Sequence, residues 1–82
     1  MLKRIDFELE NITLEEARKL QYKLGSDISV YRVFIDSYTK KGFIIFDKEK
    51  SSEDIIKEID HGVRIKKEEE ITVEDLIKQS SG

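Results

Sequence analysis

The sequence predicts an α+β fold: a four-stranded antiparallel sheet with two helices packed on one face. Three observations predict it. Four short segments alternate apolar and polar side chains, the period of a half-buried strand. Two longer segments instead repeat their apolar residues every three or four positions, the period of an amphipathic helix. The two kinds fall in the order strand, helix, strand, strand, helix, strand along 82 residues, enough for one domain with a modest core.

The first strand covers residues 2–10, with Ile5, Phe7 and Leu9 on one side and Arg4, Asp6, Glu8 and Glu10 on the other. A helix start follows. Thr13 is an N-cap with Glu16 three residues on, the capping-box spacing, and Ile12 precedes it in the staple position. Leu14, Ala17, Leu20, Gln21 and Leu24 trace one helical stripe. Glu15 and Lys19 stand four apart, and Gly25 is placed to end the helix.

A hairpin forms the centre of the chain. Its first strand, residues 30–35, puts Tyr31, Val33 and Ile35 on one face and Arg32, Phe34 and Asp36 on the other. The polar stretch 36–42 closes on Gly42, and residues 43–46 (Phe-Ile-Ile-Phe) are apolar on both faces, as in an interior strand. Ser51 and Ser52 open the second helix, Glu53 and Asp54 complement its dipole, Ile55, Ile56 and Ile59 form its apolar face, and Gly62 stops it. Residues 63–66 read as a short last strand, interrupted by Glu68-Glu69-Glu70. The stretch 71–78 is a short third helix whose start, Ile-Thr-Val-Glu-Asp, copies the start of the first. Residues 1–79 form the single expected domain, and 80–82 are expected to fray.

This order is the split βαβ, or ferredoxin-like, pattern, with strand order 4-1-3-2. The helix side then receives Ile5, Phe7, Leu9, Val33, Ile35, Ile44, Phe46, Val63 and Ile65. The other face divides in two. Arg64 and Lys66 stand beside Asp6 and Glu8 in one half; Phe34, Phe43 and Ile45, flanked by Arg32, form an apolar patch in the other. The tail helix is expected to lay Val73, Leu76 and Ile77 over that patch, unless a second copy or another molecule covers it.

Composition excludes several classes. Fifteen Lys and Arg against eighteen Asp and Glu give a net charge of −3, so general affinity for phosphate backbones is not expected. There is no cysteine, hence no disulfide framework, zinc knuckle or thiol chemistry. The amino terminus has no apolar signal segment, and no apolar run reaches the ~20 residues that span a bilayer. The expectation is a cytoplasmic protein without membrane contact. The bias toward Lys, Glu and Ile follows the trend in hyperthermophile proteins.

Lys41-Gly42-Phe43 matches the opening of the aromatic signature of the RNA-recognition motif, which the element order also resembles. That resemblance implies single-stranded RNA binding through Arg32, Lys40, Lys41 and Phe43. The next positions depart from it, with Ile44 and Ile45 where a small residue and a second stacking aromatic belong. The first strand also offers Asp6 and Glu8 to the face a base would use. In length, composition and element order the whole chain resembles small uncharacterised ferredoxin-like proteins of hyperthermophilic archaea, a resemblance that implies a compact domain and transfers no functional residue.

No catalytic constellation, resident cofactor or metal set is expected. His61, the one histidine, lies in Asp60-His61-Gly62 at a helix end, where a cation suits the dipole. Glu68, Glu69 and Glu70 with Glu8 and Glu10 lack the spacing of a calcium loop, leaving weak divalent-cation binding as a minor alternative. Asp27, Asp36 and Asp47 sit where acidic residues shape turns. The first functional expectation is therefore a non-enzymatic interaction module. It binds a protein partner or self-associates through Arg32, Phe34, Lys40, Lys41, Phe43 and Ile45. RNA binding through the same face is the second.

Overall fold

The computed structural model describes residues 1–59 and 61–81, with the side chains of 76 and 79–81 outside that description. The elements are β1 (Leu2–Leu9), α1 (Leu14–Gly25), β2 (Val30–Asp36), β3 (Lys41–Asp47), α2 (Ser52–Ile59), β4 (Val63–Ile71) and α3 (Val73–Ser81). The strands form one antiparallel sheet in the order β2-β3-β1-β4. This is the ferredoxin-like arrangement that the alternation predicts.

The helix side of the sheet carries the main core. Ile5, Phe7, Leu9, Ile35, Ile44 and Phe46 pack against Ala17, Leu20 and Leu24 of α1 and Ile55 and Ile59 of α2, with Ile12 closing one end. The helix starts are built locally. Thr13 Oγ1 accepts the Glu16 N–H at 3.1 Å, and Glu16 Oε1 accepts the Thr13 N–H at 3.2 Å. Thr72 and Asp75 repeat this exchange at the start of α3, at 3.2 and 3.1 Å. One capping solution thus serves two helices.

Several local expectations are corrected, and two β-bulges explain most of them. In β2 the register slips between Val30 and Arg32, so Tyr31 is passed over. Val30 takes the core-facing place, and Tyr31 is exposed instead of sharing the face of Val33 and Ile35. In β4 the slip lies opposite Asp6 and Phe7, where Lys66 is the passed-over residue. An extra residue reverses which side chains face which way. Beyond it, Lys67, Glu69 and Ile71 share the face opposite the helices, and the strand runs through Glu68-Glu69-Glu70 rather than stopping at Lys66. Ile65, on this edge strand, stays partly exposed.

Two turns also differ. The α1 C-terminus is capped by Ser26, whose N–H and Oγ–H both reach the Tyr22 carbonyl, at 3.0 and 2.8 Å; Gly25 supplies no left-handed residue. In the hairpin the residue with positive φ is Lys40, at 63°, not Gly42. Lys40 is held there because its carbonyl accepts the Leu9 N–H at 2.7 Å and its Nζ donates to the Ile12 carbonyl at 2.8 Å. Leu14, expected in the helix stripe, is exposed.

Candidate interaction surface

The sheet face away from α1 and α2 is not uniformly open. Leu2, Ile45 and Ile71 form a second, smaller buried cluster on it, with Phe43 packed against them. Leu2 stands beside Ile71 across the β1–β4 pair, and Ile45 lies opposite Arg4. Ile45, expected in the accessible patch, is fully buried. The bulge in β4 causes this, because it turns Ile71 onto this face.

Phe43 is half covered from above. The Arg4 guanidinium lies 4.2 Å from its ring centroid, a cation–π contact, and is held there by Asp6 at 2.9 Å. The face on which a base would stack is therefore taken by an arginine of the same chain. Sequence reasoning missed Arg4. Its signal was present, since the first strand puts Arg4 on the same side as Asp6, but its cross-strand partner depends on the register.

What remains open is the outer edge. Phe34 is 50% exposed and tilts against Phe43 with ring centroids 5.9 Å apart. Arg32 and Phe34 line a shallow depression with Val33 and Phe43. Arg32 is exposed, as is Lys41 at the start of β3. Lys40, expected to reach a ligand, instead has its ammonium on the Ile12 carbonyl. The tail does not seal this region through its expected side chains: Val73 and Ile77 are 60% and 62% exposed. The third, Leu76, lies outside the described side chains.

The two edges of the sheet differ chemically. β4 presents a run of lysine and glutamate in which Lys3 and Glu68, Lys48 and Glu70, and Lys66 and Glu8 pair at 3.5, 3.2 and 3.7 Å. Such charged edges resist pairing with another strand. These pairs take up Glu68, Glu70 and Glu8 of the acidic group weighed as a minor alternative, and no group of three potential metal ligands converges among the described residues. β2, reading Val-Tyr-Arg-Val-Phe-Ile-Asp, has no lysine or glutamate. One backbone group on its outer side is occupied: the Ile35 N–H donates to Gln21 Oε1 of α1 at 3.2 Å.

His61 stands 4.0 Å from Glu16 in a shallow groove between α1 and α2, and its expected neighbour Asp60 lies outside the described residues. A tighter charged junction lies at one end of that groove. Asp27 Oδ1 accepts the Ser29 N–H and Oγ–H at 2.9 and 2.6 Å, and its Oδ2 accepts Lys50 Nζ at 3.0 Å. The Ser29 bonds, with Lys50 behind them, hold the Asp27 carboxyl far below the usual range. Asp27 in turn raises Lys50. Glu58 is pushed the other way, by burial first and by the Asp27 charge second. Its Oε2 is buried with no hydrogen-bond partner among the described residues.

The two carboxylates therefore act on stability in opposite senses. Asp27 stabilises the fold above its ordinary pKa of 3.8, and that contribution is lost as pH falls below it. Glu58 has its folded pKa raised above the ordinary 4.5, so its ionisation costs stability as pH rises through that range. Glu58→Gln is expected to raise the melting temperature at pH 7, with the gap over wild type closing below about pH 4. Thermal melts across this range check it; a gap independent of pH contradicts it.

Fold and surface together define a small ferredoxin-like domain with one edge of paired lysines and glutamates and one edge, β2, that has neither. The chain belongs to the family described as protein of unknown function (DUF3213), whose model matches residues 4–82. No curated protein matches it. Among solved structures it is similar to a copper binding domain from HMA7, a P-type ATPase, with TM-score 0.71 and 18% identity over 83% of this chain and 99% of that one. It is also similar to the CsoZ metallochaperone, with TM-score 0.68 and 23% identity over 82% of this chain and 100% of that one. A third is the N-terminal domain of a potential copper-translocating P-type ATPase from Bacillus subtilis in the Cu(I)-loaded state, with TM-score 0.69 and 17% identity over 87% and 95%. At these identities the likeness shows the fold. No helix of the described residues is long and apolar enough to cross a membrane.

Proposed function

We propose that this chain is a non-enzymatic protein-interaction module that binds through β2 and the Phe34 side of the sheet face. The observation that carries the reading is the half-exposed Phe34 on an edge strand that lacks the run of lysine and glutamate on the opposite edge. An exposed aromatic beside an arginine, on a strand at the open edge of a sheet, is the chemistry of strand-to-strand protein recognition.

The copper binding named for the HMA7 domain and the Cu(I)-loaded state named for the Bacillus subtilis domain do not fit these residues. Soft thiolate and thioether ligands select Cu(I), and this sequence holds no cysteine and a single methionine, Met1. RNA binding loses its stacking platform where Arg4 covers Phe43.

Phe34→Ser tests the reading, with wild-type and variant chains compared as baits for partners and by sedimentation of the pure protein. Complexes formed by the wild type are expected to disappear, while the melting transition stays within about 1 kcal/mol of wild type, as for a surface change. A variant that keeps every complex overturns the proposal.

A further inference from the structure

We propose that the partner of β2 is the β2 of a second copy of this chain, paired antiparallel about a two-fold axis at Phe34. This rests on the reading of β2 as the binding edge and names its occupant.

The backbone restricts the register. The Ile35 N–H points away from β3, toward Gln21. Backbone groups of alternate residues point the same way along a strand, so Val33 also presents its N–H and C=O outward. The register is regular from Arg32 to Asp36. Outward groups must meet outward groups, so a symmetric pairing has its axis at a residue and not between two.

Side chains choose among these axes. Arg32, Phe34 and Asp36 share one face of β2, two residues apart. An axis at Arg32 or at Asp36 would set like charges opposite each other, which is destabilising. An axis at Val33 would oppose Arg32 to Phe34 and leave Asp36 unmatched, and one at Ile35 would put Phe34 against Asp36. With the axis at Phe34, Arg32 of each copy faces Asp36 of the other. Phe34 meets its own counterpart at a close, non-hydrogen-bonded position, and Val33 and Ile35 exchange both backbone bonds.

The groups this arrangement needs are available. Arg32 is exposed at the edge, and Asp36 uses Oδ1 for the Tyr38 N–H at 2.8 Å, leaving Oδ2 for a guanidinium. On the helix side, Leu14 and Tyr22 of α1 are 55% and 81% exposed and border the groove over Val33 and Ile35. A second copy at this edge extends apolar contact on both faces of the sheet. Gln21 is the group to be displaced; its side chain is exposed and returns to water when the partner's Val33 carbonyl takes the Ile35 N–H.

The test is sedimentation equilibrium of the wild type, Arg32→Glu, Asp36→Arg and an equimolar mixture of the two variants. The wild type is expected to dimerise and each variant alone to dimerise at least about tenfold more weakly, a loss of ~1.4 kcal/mol. The mixture is expected to recover the wild-type affinity. In the mixed dimer the carboxylate introduced at position 32 of one copy faces the guanidinium introduced at position 36 of the other, and the unaltered Asp36 and Arg32 still face each other. Gln21→Ala is expected to tighten the dimer. Hydrogen exchange on the unaltered protein is an independent readout: Val33 and Ile35 amides gain protection with concentration while the β4 edge does not. A monomeric wild type overturns self-pairing, as does a mixture no tighter than either variant alone. If the wild type is monomeric but loses a different partner on Phe34→Ser, self-pairing falls and the interaction module stands. If Phe34→Ser changes no complex of any kind, both fall.

Discussion

Phe46→Ala is expected to remove most of the stability of this chain. Phe46 is fully buried on the helix side of an interior strand, packed in the cluster that joins Ile5, Phe7, Ile44, Leu24 and Ile55. Removing a buried phenylalanine ring loses its transfer free energy and leaves a cavity that neighbours fill only in part, for a cost of about 3–5 kcal/mol. Domains of this size have little to spare, since native stability runs at roughly 0.05–0.15 kcal/mol per residue. Phe34→Ala is the control. Its ring is half exposed at the sheet edge, so the loss is expected to be below about 1 kcal/mol. Urea denaturation of the two variants measures the contrast; similar midpoints for both would mean that Phe34 is as much core as Phe46.

Gly42→Ala is expected to be nearly as damaging, although it adds one methyl group to a half-buried position. Gly42 lies between Phe7 of β1 and Ile35 of β2. A Cβ there would stand 2.9 Å from Phe7 Cζ and would also run into the Phe34 carbonyl oxygen. Neither can yield cheaply: the ring is locked in the core, and the carbonyl is backbone of the neighbouring strand. Overpacking of this kind costs typically about 1–3 kcal/mol, and the expected loss is at the upper end, about 3 kcal/mol, with β2 pushed away from β3. Denaturant midpoints and the chemical shifts of β2 amides check it. Gly62→Ala is a milder comparison, because the added atom there meets only the carboxylate end of the Glu10 side chain.

The role of Gly42 changes the meaning of Lys41-Gly42-Phe43. In the sequence it looks like the opening of a nucleic-acid signature or a turn glycine. In the structure the left-handed turn residue is Lys40, and the glycine makes room for the Phe7 ring. No local pattern reports a ring arriving from a strand far earlier in the chain, since that contact exists only once β1 and β3 are paired.

The same reason separates what was legible in the candidate surface from what was not. Arg32 and Phe34 were readable because alternation within one strand assigns them a common face. Ile45 obeys the same alternation, but a bulge in β4 brings Ile71 over to cover it with Leu2. Tyr31 is displaced from its expected face by the bulge in β2. Asp36 and Gln21 were visible as a turn residue and a gap in a helical stripe; their bearing on the β2 edge appears only with the geometry of that edge.

Element order, sheet topology, most of the core of the helix side and the capped starts of α1 and α3 can be read directly from the chain; Ile65 and Leu14, expected in that core, are exposed. The readable features depend on period, on spacing within a few residues and on the handedness of short connections, all of which are local. Which part of the opposite face stays open is settled only on assembly, because bulges and cross-strand neighbours set it, and each depends on where a distant strand comes to rest. The β2 edge facing outward, with Arg32 and Asp36 evenly spaced about Phe34, belongs to both: the spacing is written in the chain, and its exposure is a consequence of the fold.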